Sequence, residues 1–251
     1  MTTATPVPAA RRAPQLAGQT VVLIGGSAGI GLETARQARA EGADVVLVGR
    51  DPGRLDHAAA DVGARSTAAF DATDPGRLEQ FFEELPGPAD HVLVTTGGNY
   101  YARLADLDFA EARRQVDDHL WTPLHVARAA MGRVRAPGTV LFMGGTGARR
   151  PGLGLALPGA LTAAMPALIA NLALELAPVR VNLIAAGFVD TPLSARLLGD
   201  GLDRRRDELR ATLPIRRVVG PADVAAMAIH LMTNTALTGA TYDVDGGQQF
   251  S

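Results

Sequence analysis

Val21-Val22-Leu23-Ile24-Gly25-Gly26-Ser27-Ala28-Gly29-Ile30-Gly31 is the stretch that decides the fold. Four apolar residues run into a glycine-rich turn, and the turn runs into the helix-like stretch Leu32 to Ala40. Glycines at 25, 29 and 31 let the backbone turn tightly, approach an anion closely and pack a helix against a sheet, while the helix N-terminus adds amide donors and positive potential. Glycines often serve only as strand-to-helix punctuation. Here they follow the first strand and open a helix, the setting in which such a turn binds a dinucleotide pyrophosphate. Gly25, Ser27, Ala28, Gly29, Ile30 and Gly31 are therefore the first candidate cofactor-binding residues.

Outward from that turn, short apolar runs recur at Val45 to Val48, Thr67 to Phe70, His91 to Val94, Val140 to Met143, Val181 to Ala185 and Thr241 to Val244. Longer Ala-, Leu- and Arg-rich stretches separate them. The alternation predicts a Rossmann-type, doubly wound α/β fold: a seven-stranded parallel sheet with helices on both faces, in a single domain over 16–251. Near-continuous apolar strands fit a sheet covered on both sides. Thr2 to Ala13, rich in Thr, Ala and Pro, predicts a disordered arm over 1–15. Between Phe188 and Pro214, apolar Leu193 to Leu198 gives way to charged Asp200 to Arg210, which predicts a lid over 188–214.

Composition narrows the chemistry. All 24 basic residues are arginine, and there is no cysteine. A lysine Schiff base, a P-loop lysine, a Tyr-x-x-x-Lys pair, a disulfide and thiolate catalysis are thereby excluded. The three tyrosines, Tyr100, Tyr101 and Tyr242, are followed four places on by Leu104, Ala105 and Gly246. A net charge of −2 gives no global attraction to nucleic acid or to an anionic membrane. No apolar run is read as approaching the roughly 18 residues of a membrane span, and no metal site is assigned. A soluble cytoplasmic protein acting on a small molecule is the expectation.

The choice of nucleotide turns on the end of the second strand. Where an NAD site places an acidic residue on the ribose, this chain reads Gly49-Arg50-Asp51. Gly49 leaves room for a phosphate and Arg50 can bind it bidentately, so NADPH/NADP+ is expected. The plainer alternative makes Arg50 a solvated loop residue and Asp51 a cap before Pro52. Asp71, with Ala72 beside it, either accepts from the adenine amino group or caps the turn toward Asp74-Pro75.

The chain resembles the short-chain dehydrogenase/reductase family from Leu16 to Gly247. The matching pieces are Gly25 to Gly31, Asp71-Ala72-Thr73-Asp74, Glu175 to Asn182, Ala185 to Thr191, and Thr238-Gly239 through Val244-Asp245-Gly246-Gly247. The resemblance implies a nicotinamide cofactor along the strand C-termini, with Gly97 and Gly98 beside it and Val189 and Thr191 on its carboxamide. It implies a homotetramer whose interfaces use the helices near 108–130 and 158–177. It also places the family's catalytic Asn, Ser, Tyr and Lys at His119, Gly145, Pro158 and Thr162, and its Asn-Asn-Ala-Gly motif at Thr95-Thr96-Gly97-Gly98. Pro158 lacks even a backbone donor, and the Thr162 hydroxyl neither carries charge nor titrates near pH 7.

Three readings follow. In the first, His119 supplies the proton and Thr146 orients the carbonyl; the plainer role for His119 is a helix histidine bonded to a backbone carbonyl. In the second, which is preferred, the substrate supplies the acid: an aromatic ketone carrying a phenolic hydroxyl, its flat ring flanked by Tyr100 and Tyr101 and accommodated by Gly145 and Gly147. In the third, the protein is a noncatalytic NADP(H)-binding sensor or partner. Within the family, the missing tetrad, the Arg-only basic set and the small site residues resemble the atypical ketoreductases that tailor aromatic polyketides in actinomycetes, which implies an angucyclinone-like ketone in antibiotic biosynthesis.

Overall fold

The computed structural model describes residues 13–147 and 149–251, so most of the expected arm lies outside the described residues. Leu16, fully buried, bonds through its amide to the Glu41 carbonyl and marks the start of the packed structure.

Among the described residues, seven strands form one parallel sheet: β1 (Thr20–Ile24), β2 (Asp44–Gly49), β3 (Ser66–Ala69), β4 (Ala89–Val94), β5 (Val134–Gly145), β6 (Arg180–Ala186) and β7 (Thr241–Val244). Their order is β3-β2-β1-β4-β5-β6-β7, so the chain reverses its winding direction beside β1. Successive side chains point to opposite faces, and this divides each strand between two cores. Val22, Ile24, Val46, Val92, Val140 and Leu183 enter one core, while Val21, Leu23, Val45, Leu93, Leu141 and Ile184 enter the other. The helices α1 (Gly29–Ala40), α2 (Pro52–Val62) and α9 (Pro221–Thr233) cover the second core. The first is covered by α3 (Pro75–Glu84), α5 (Thr122–Ala130) and α6 (Ala156–Glu175), with α4 (Phe109–Val116) preceding α5 in the chain. The expected doubly wound architecture is the observed one.

Two features differ from expectation. β5 is longer than Val140 to Met143 because it begins before Pro137 and Gly138. Gly138 belongs there because a side chain would overlap the Asp90 carbonyl of β4. The second correction concerns membrane-length runs: Ala156–Glu175, uncharged until its last residue, is long and apolar enough to cross a membrane by length and composition. It lies along the sheet, with Leu161, Met165, Ile169, Leu172 and Ala173 buried. Small residues interleaved with leucine disguised the run.

A buried cation ties the far end of the sheet together. Arg180, at the start of β6, donates from Nη1 to the carbonyls of Leu231 (2.6 Å), Asn234 (3.1 Å) and Leu237 (3.2 Å), from Nη2 to Met232 (3.0 Å) and from Nε to Pro137 (3.0 Å). It faces the C-terminus of α9, where a helix leaves carbonyls unsatisfied and negative potential accumulates.

Candidate cofactor and active site

The strand C-termini open into a cavity of about 970 Å³ centred where the winding reverses, the usual place for a ligand in an open α/β sheet. Gly25, Ser27, Ala28, Gly29 and Ile30 line its floor. Gly25 has φ +96°, and a side chain there would stand 2.5 Å from Thr95 Oγ1, which donates to the Gly25 carbonyl at 3.1 Å. Gly31 does not line the cavity; it packs under the loop, where a Cβ would overlap the Gly25 carbonyl. At the α1 N-cap, Ala28 makes no side-chain capping bond, unlike the aspartates that cap α2 and α3. The first amides of α1 are thus left without capping partners at the cavity floor, the condition an anion meets at a helix N-terminus.

One wall holds Arg50, Asp71 and Ala72. Asp51 is the α2 cap, accepting from the Arg54 amide at 3.0 Å, which leaves Arg50 directed at the cavity. Arg50 is 76% exposed and stands 3.9 Å from Asp71 Oδ2. Asp71 Oδ1 accepts from the Thr73 amide and hydroxyl, so its turn-capping role is real and its second oxygen remains free of it.

The opposite end gathers Gly97, Gly98, Tyr100, Tyr101, Gly145, Pro158 and Thr162. Tyr100 braces its own loop: its hydroxyl accepts from the Asp108 amide at 2.8 Å and its amide donates to Gln115 Oε1 at 3.1 Å. Tyr101 is 55% exposed at the mouth. His119 lines the cavity, and its Nδ1 lies 2.9 Å from the Gln115 carbonyl. A carbonyl only accepts, so Nδ1 carries the proton and Nε2 is the acceptor in the neutral ring. This is the plain helix-histidine geometry, although the ring still faces the site. Thr146 is a correction: it is 1% exposed and absent from the cavity wall, with its amide on the Ala186 carbonyl and its hydroxyl without a partner, so it is not placed to orient a bound carbonyl.

Val189 and Thr191 lie on the wall after β6. Thr191 caps α7 (Pro192–Leu198) in a capping box with Ser194, and its side chain stands beside Gly29, 3.6 Å from where a Cβ there would lie. The expected lid region contains α7 and α8 (Leu202–Thr212), joined by a 3-10 turn; Leu193, Arg196 and Leu197 reach the cavity.

Of the lining residues to which the sequence gives no site role, two stand out, and Asp118 reads in the sequence as a solvated or capping helix residue. Asp118 sits in the π-helical segment Asp117–Trp121, a rare form frequent at functional sites. Burial holds its carboxyl above the usual carboxylate range, with His119 opposing that shift. Gln248, after β7, lines the cavity through a turn whose only sequence signal was the preceding Asp245-Gly246-Gly247.

An open parallel sheet with an uncapped helix terminus and glycine loop under the cavity defines a dinucleotide-binding fold. Comparison with known proteins gives the family. Residues 25–249 match the family model described as enoyl-(acyl carrier protein) reductase. The chain is 29% identical over 253 residues to the short-chain dehydrogenase/reductase ATR9 of Stachybotrys chlorohalonatus, covering 93% of this chain and 98% of that one. A solved short chain dehydrogenase/reductase family protein superposes with a TM-score of 0.84 at 31% identity, covering 94% and 100% of the two chains. A small-chain dehydrogenase solved in complex with NADPH superposes with a TM-score of 0.79 at 26% identity, covering 93% and 99%. The protein belongs to the short-chain dehydrogenase/reductase family and is an oxidoreductase using a nicotinamide cofactor.

Proposed function

We propose that the protein is an NADPH-dependent ketoreductase acting on an aromatic polyketide ketone of angucyclinone type in antibiotic biosynthesis, as its resemblance to the angucyclinone 7-ketoreductase of simocyclinone biosynthesis suggests. The observation that carries this reading is the wall at the reacting end of the cavity. Gly145, Pro158 and Thr162 stand where the family resemblance puts serine, tyrosine and lysine, and none is an acid or a cation. Their small or ring-closed side chains leave that end of the wall open to a flat ring, within a cavity whose 970 Å³ holds the cofactor and the ketone together.

The uncapped start of α1 and the glycine loop fit a pyrophosphate, Arg50 a ribose 2′-phosphate, Asp71 and Ala72 the adenine, and the backbone around Val189 and Thr191 a carboxamide. The bound cofactor supplies hydride. The chain itself places the ketone, excludes water and closes α7 and α8 over it as a lid. The proton comes from the substrate. An alkoxide product is about as basic as hydroxide, whereas a phenol titrates at about 10, so forming the phenolate instead is favoured by about 8 kcal/mol. That exceeds the 10²- to 10⁴-fold contribution typical of a general acid. Exposed Phe109, Trp121 and Leu174 on or beside the helices of 108–130 and 156–175 support a homo-oligomer, in keeping with a cytoplasmic member of this family.

Purified protein should oxidise NADPH with an aromatic ketone bearing a phenol hydrogen-bonded to the carbonyl and leave simple aliphatic ketones untouched. Equal turnover of both classes overturns substrate assistance. Turnover of neither over a broad aromatic panel replaces the enzyme with a binding module. His119→Ala should turn over at near the native rate, whereas abolished turnover reinstates His119 as the donor.

A further inference from the structure

We infer that Gln248 is a positioning residue that fixes the peptide ridge Ala186 to Asp190 against the nicotinamide end of the cofactor. The inference rests on the reading that Val189 and Thr191 hold that end.

The ridge is short and has a permissive residue, Gly187, at its second position. Gly187 donates to the Val244 carbonyl at 3.2 Å, and the next amide, Phe188 N–H, donates to Gln248 Oε1 at 2.7 Å across 60 residues of sequence. Among the described residues, Gln248 is the one side chain hydrogen-bonded to this stretch of main chain. The contact is also steric. A Cβ on Gly187 would stand 2.6 Å from Gln248 Oε1 and 2.8 Å from Asp245 Cβ, so the two turns pack backbone to backbone. On the other side the Asp190 amide bonds to the Val219 carbonyl at 3.0 Å.

The turn that presents Gln248 is itself rigid. Buried Asp245 accepts from the amides of Gly247 at 2.8 Å and Gln249 at 3.1 Å. Arg149 bonds both oxygens of Asp243, at 2.6 and 2.7 Å, and Gln249 bonds the same carboxylate at 2.9 Å. Arg149 belongs to the loop after β5, so one braced turn spans the two loops that meet at the reacting end. Gln248 is the part of it that reaches the cavity wall. Backbone groups recognise a carboxamide only if their peptide planes are held, and Gly187 leaves those planes free to rotate unless the Phe188 amide is anchored.

The test measures binding, by fluorescence titration with NADPH and, by competition against it, with 2′-phospho-ADP-ribose, which lacks the nicotinamide. Gln248→Met keeps the length and removes the strong acceptor; it should raise the NADPH Kd roughly threefold to tenfold, the worth of one net hydrogen bond. Affinity for the nicotinamide-free ligand should stay at the wild-type value, and Gln248→Glu, which keeps the acceptor, should restore NADPH binding. Wild-type NADPH affinity in Gln248→Met, equal weakening of both ligands, or failure of Gln248→Glu to restore binding overturns the assignment. If wild-type protein binds neither ligand, the cofactor reading itself is overturned, and the assignment with it.

Discussion

Arg206 of α8 grips Asp190 through two near-parallel bonds, Nε to Oδ2 at 2.9 Å and Nη2 to Oδ1 at 2.8 Å, and Asp190 immediately precedes Thr191 on the cavity wall. A guanidinium fork on a carboxylate is the most directional ion pair proteins have. It joins the proposed lid to the ridge beneath it, and Asp203 holds the remaining Nη1 at 2.8 Å. Arg206→Ala should therefore loosen the lid without unfolding the sheet. Because both partners are about one-third exposed, the loss should be modest: roughly twofold to fivefold in ketone KM, with less change in Tm than for a core variant. Steady-state kinetics beside thermal melts check this, and an unchanged KM would detach the pair from lid function.

Arg50 gives a prediction about nucleotide choice. Its guanidinium is largely exposed, with Asp71 as a distant partner at 3.9 Å, so it is free to turn to a phosphate. Arg50→Ala should weaken NADPH by about tenfold and leave NADH affinity nearly unchanged, as expected for a screened, charge-assisted contact. Parallel titrations with both nucleotides decide it; equal losses would mean that Arg50 does not read the 2′-phosphate.

His91 links stability to pH. Its Nε2 lies 2.7 Å from Gln19 Oε1, its Nδ1 has no partner, and burial, opposed by Asp90 and aided by Arg180, lowers the imidazole from 6.5 to about 4. The unfolded chain protonates first, so the stability this neutral histidine permits is complete above pH 6.5 and is lost as pH falls toward 4. Between pH 7 and 4.5, urea unfolding should show native protein losing about 2–3 kcal/mol more than His91→Asn, which keeps a donor but does not titrate. Parallel losses in the two proteins would contradict this account.

Arg180→Lys should be destabilising despite keeping the charge. An ammonium has no planar fork to reach five carbonyls on two sides, and each buried carbonyl left unpaired costs about 1–3 kcal/mol. A total of about 2–4 kcal/mol would lower Tm by about 5–15 °C, given about 2–4 °C per kcal/mol for a chain this long. A melt within 2 °C of native, roughly the shift for under 1 kcal/mol, would show that lysine suffices there.

Much of this organisation was legible because it is periodic or local. The apolar runs placed seven strands, since a strand covered on both faces must be apolar at nearly every position, and Val21 to Ile24 with its glycines located the loop. Asp51 was readable as a cap because Pro follows it, whereas the same Asp-Pro signal at Asp74 reads only as the end of a turn capped by Asp71. Contacts distant in sequence were not legible. Gln248 meets Phe188 across 60 residues, and Asp118 acquires its character from burial beside a π-helical turn that no pattern announces. Thr146 looked available because Gly145 precedes it; alternation along the chain end turns the two in opposite senses, and only Gly145 reaches the cavity. The apolar length of α6 was obscured by its alanines, glycine and prolines, which are small or helix-breaking yet uncharged.

The composition of the cavity wall also governs its reactivity. Conjugated aromatic ketones and quinones are electrophiles, and the side chains that capture them in proteins are the cysteine thiolate and the lysine amine. This chain has neither, so no wall of the cavity offers a thiolate for conjugate addition or a lysine amine to trap a carbonyl as an imine. Among the described residues, His119 is the one imidazole on the wall, and its Nδ1 is held by a backbone carbonyl. The chamber can therefore hold a reactive ring without presenting it a thiolate or a lysine amine.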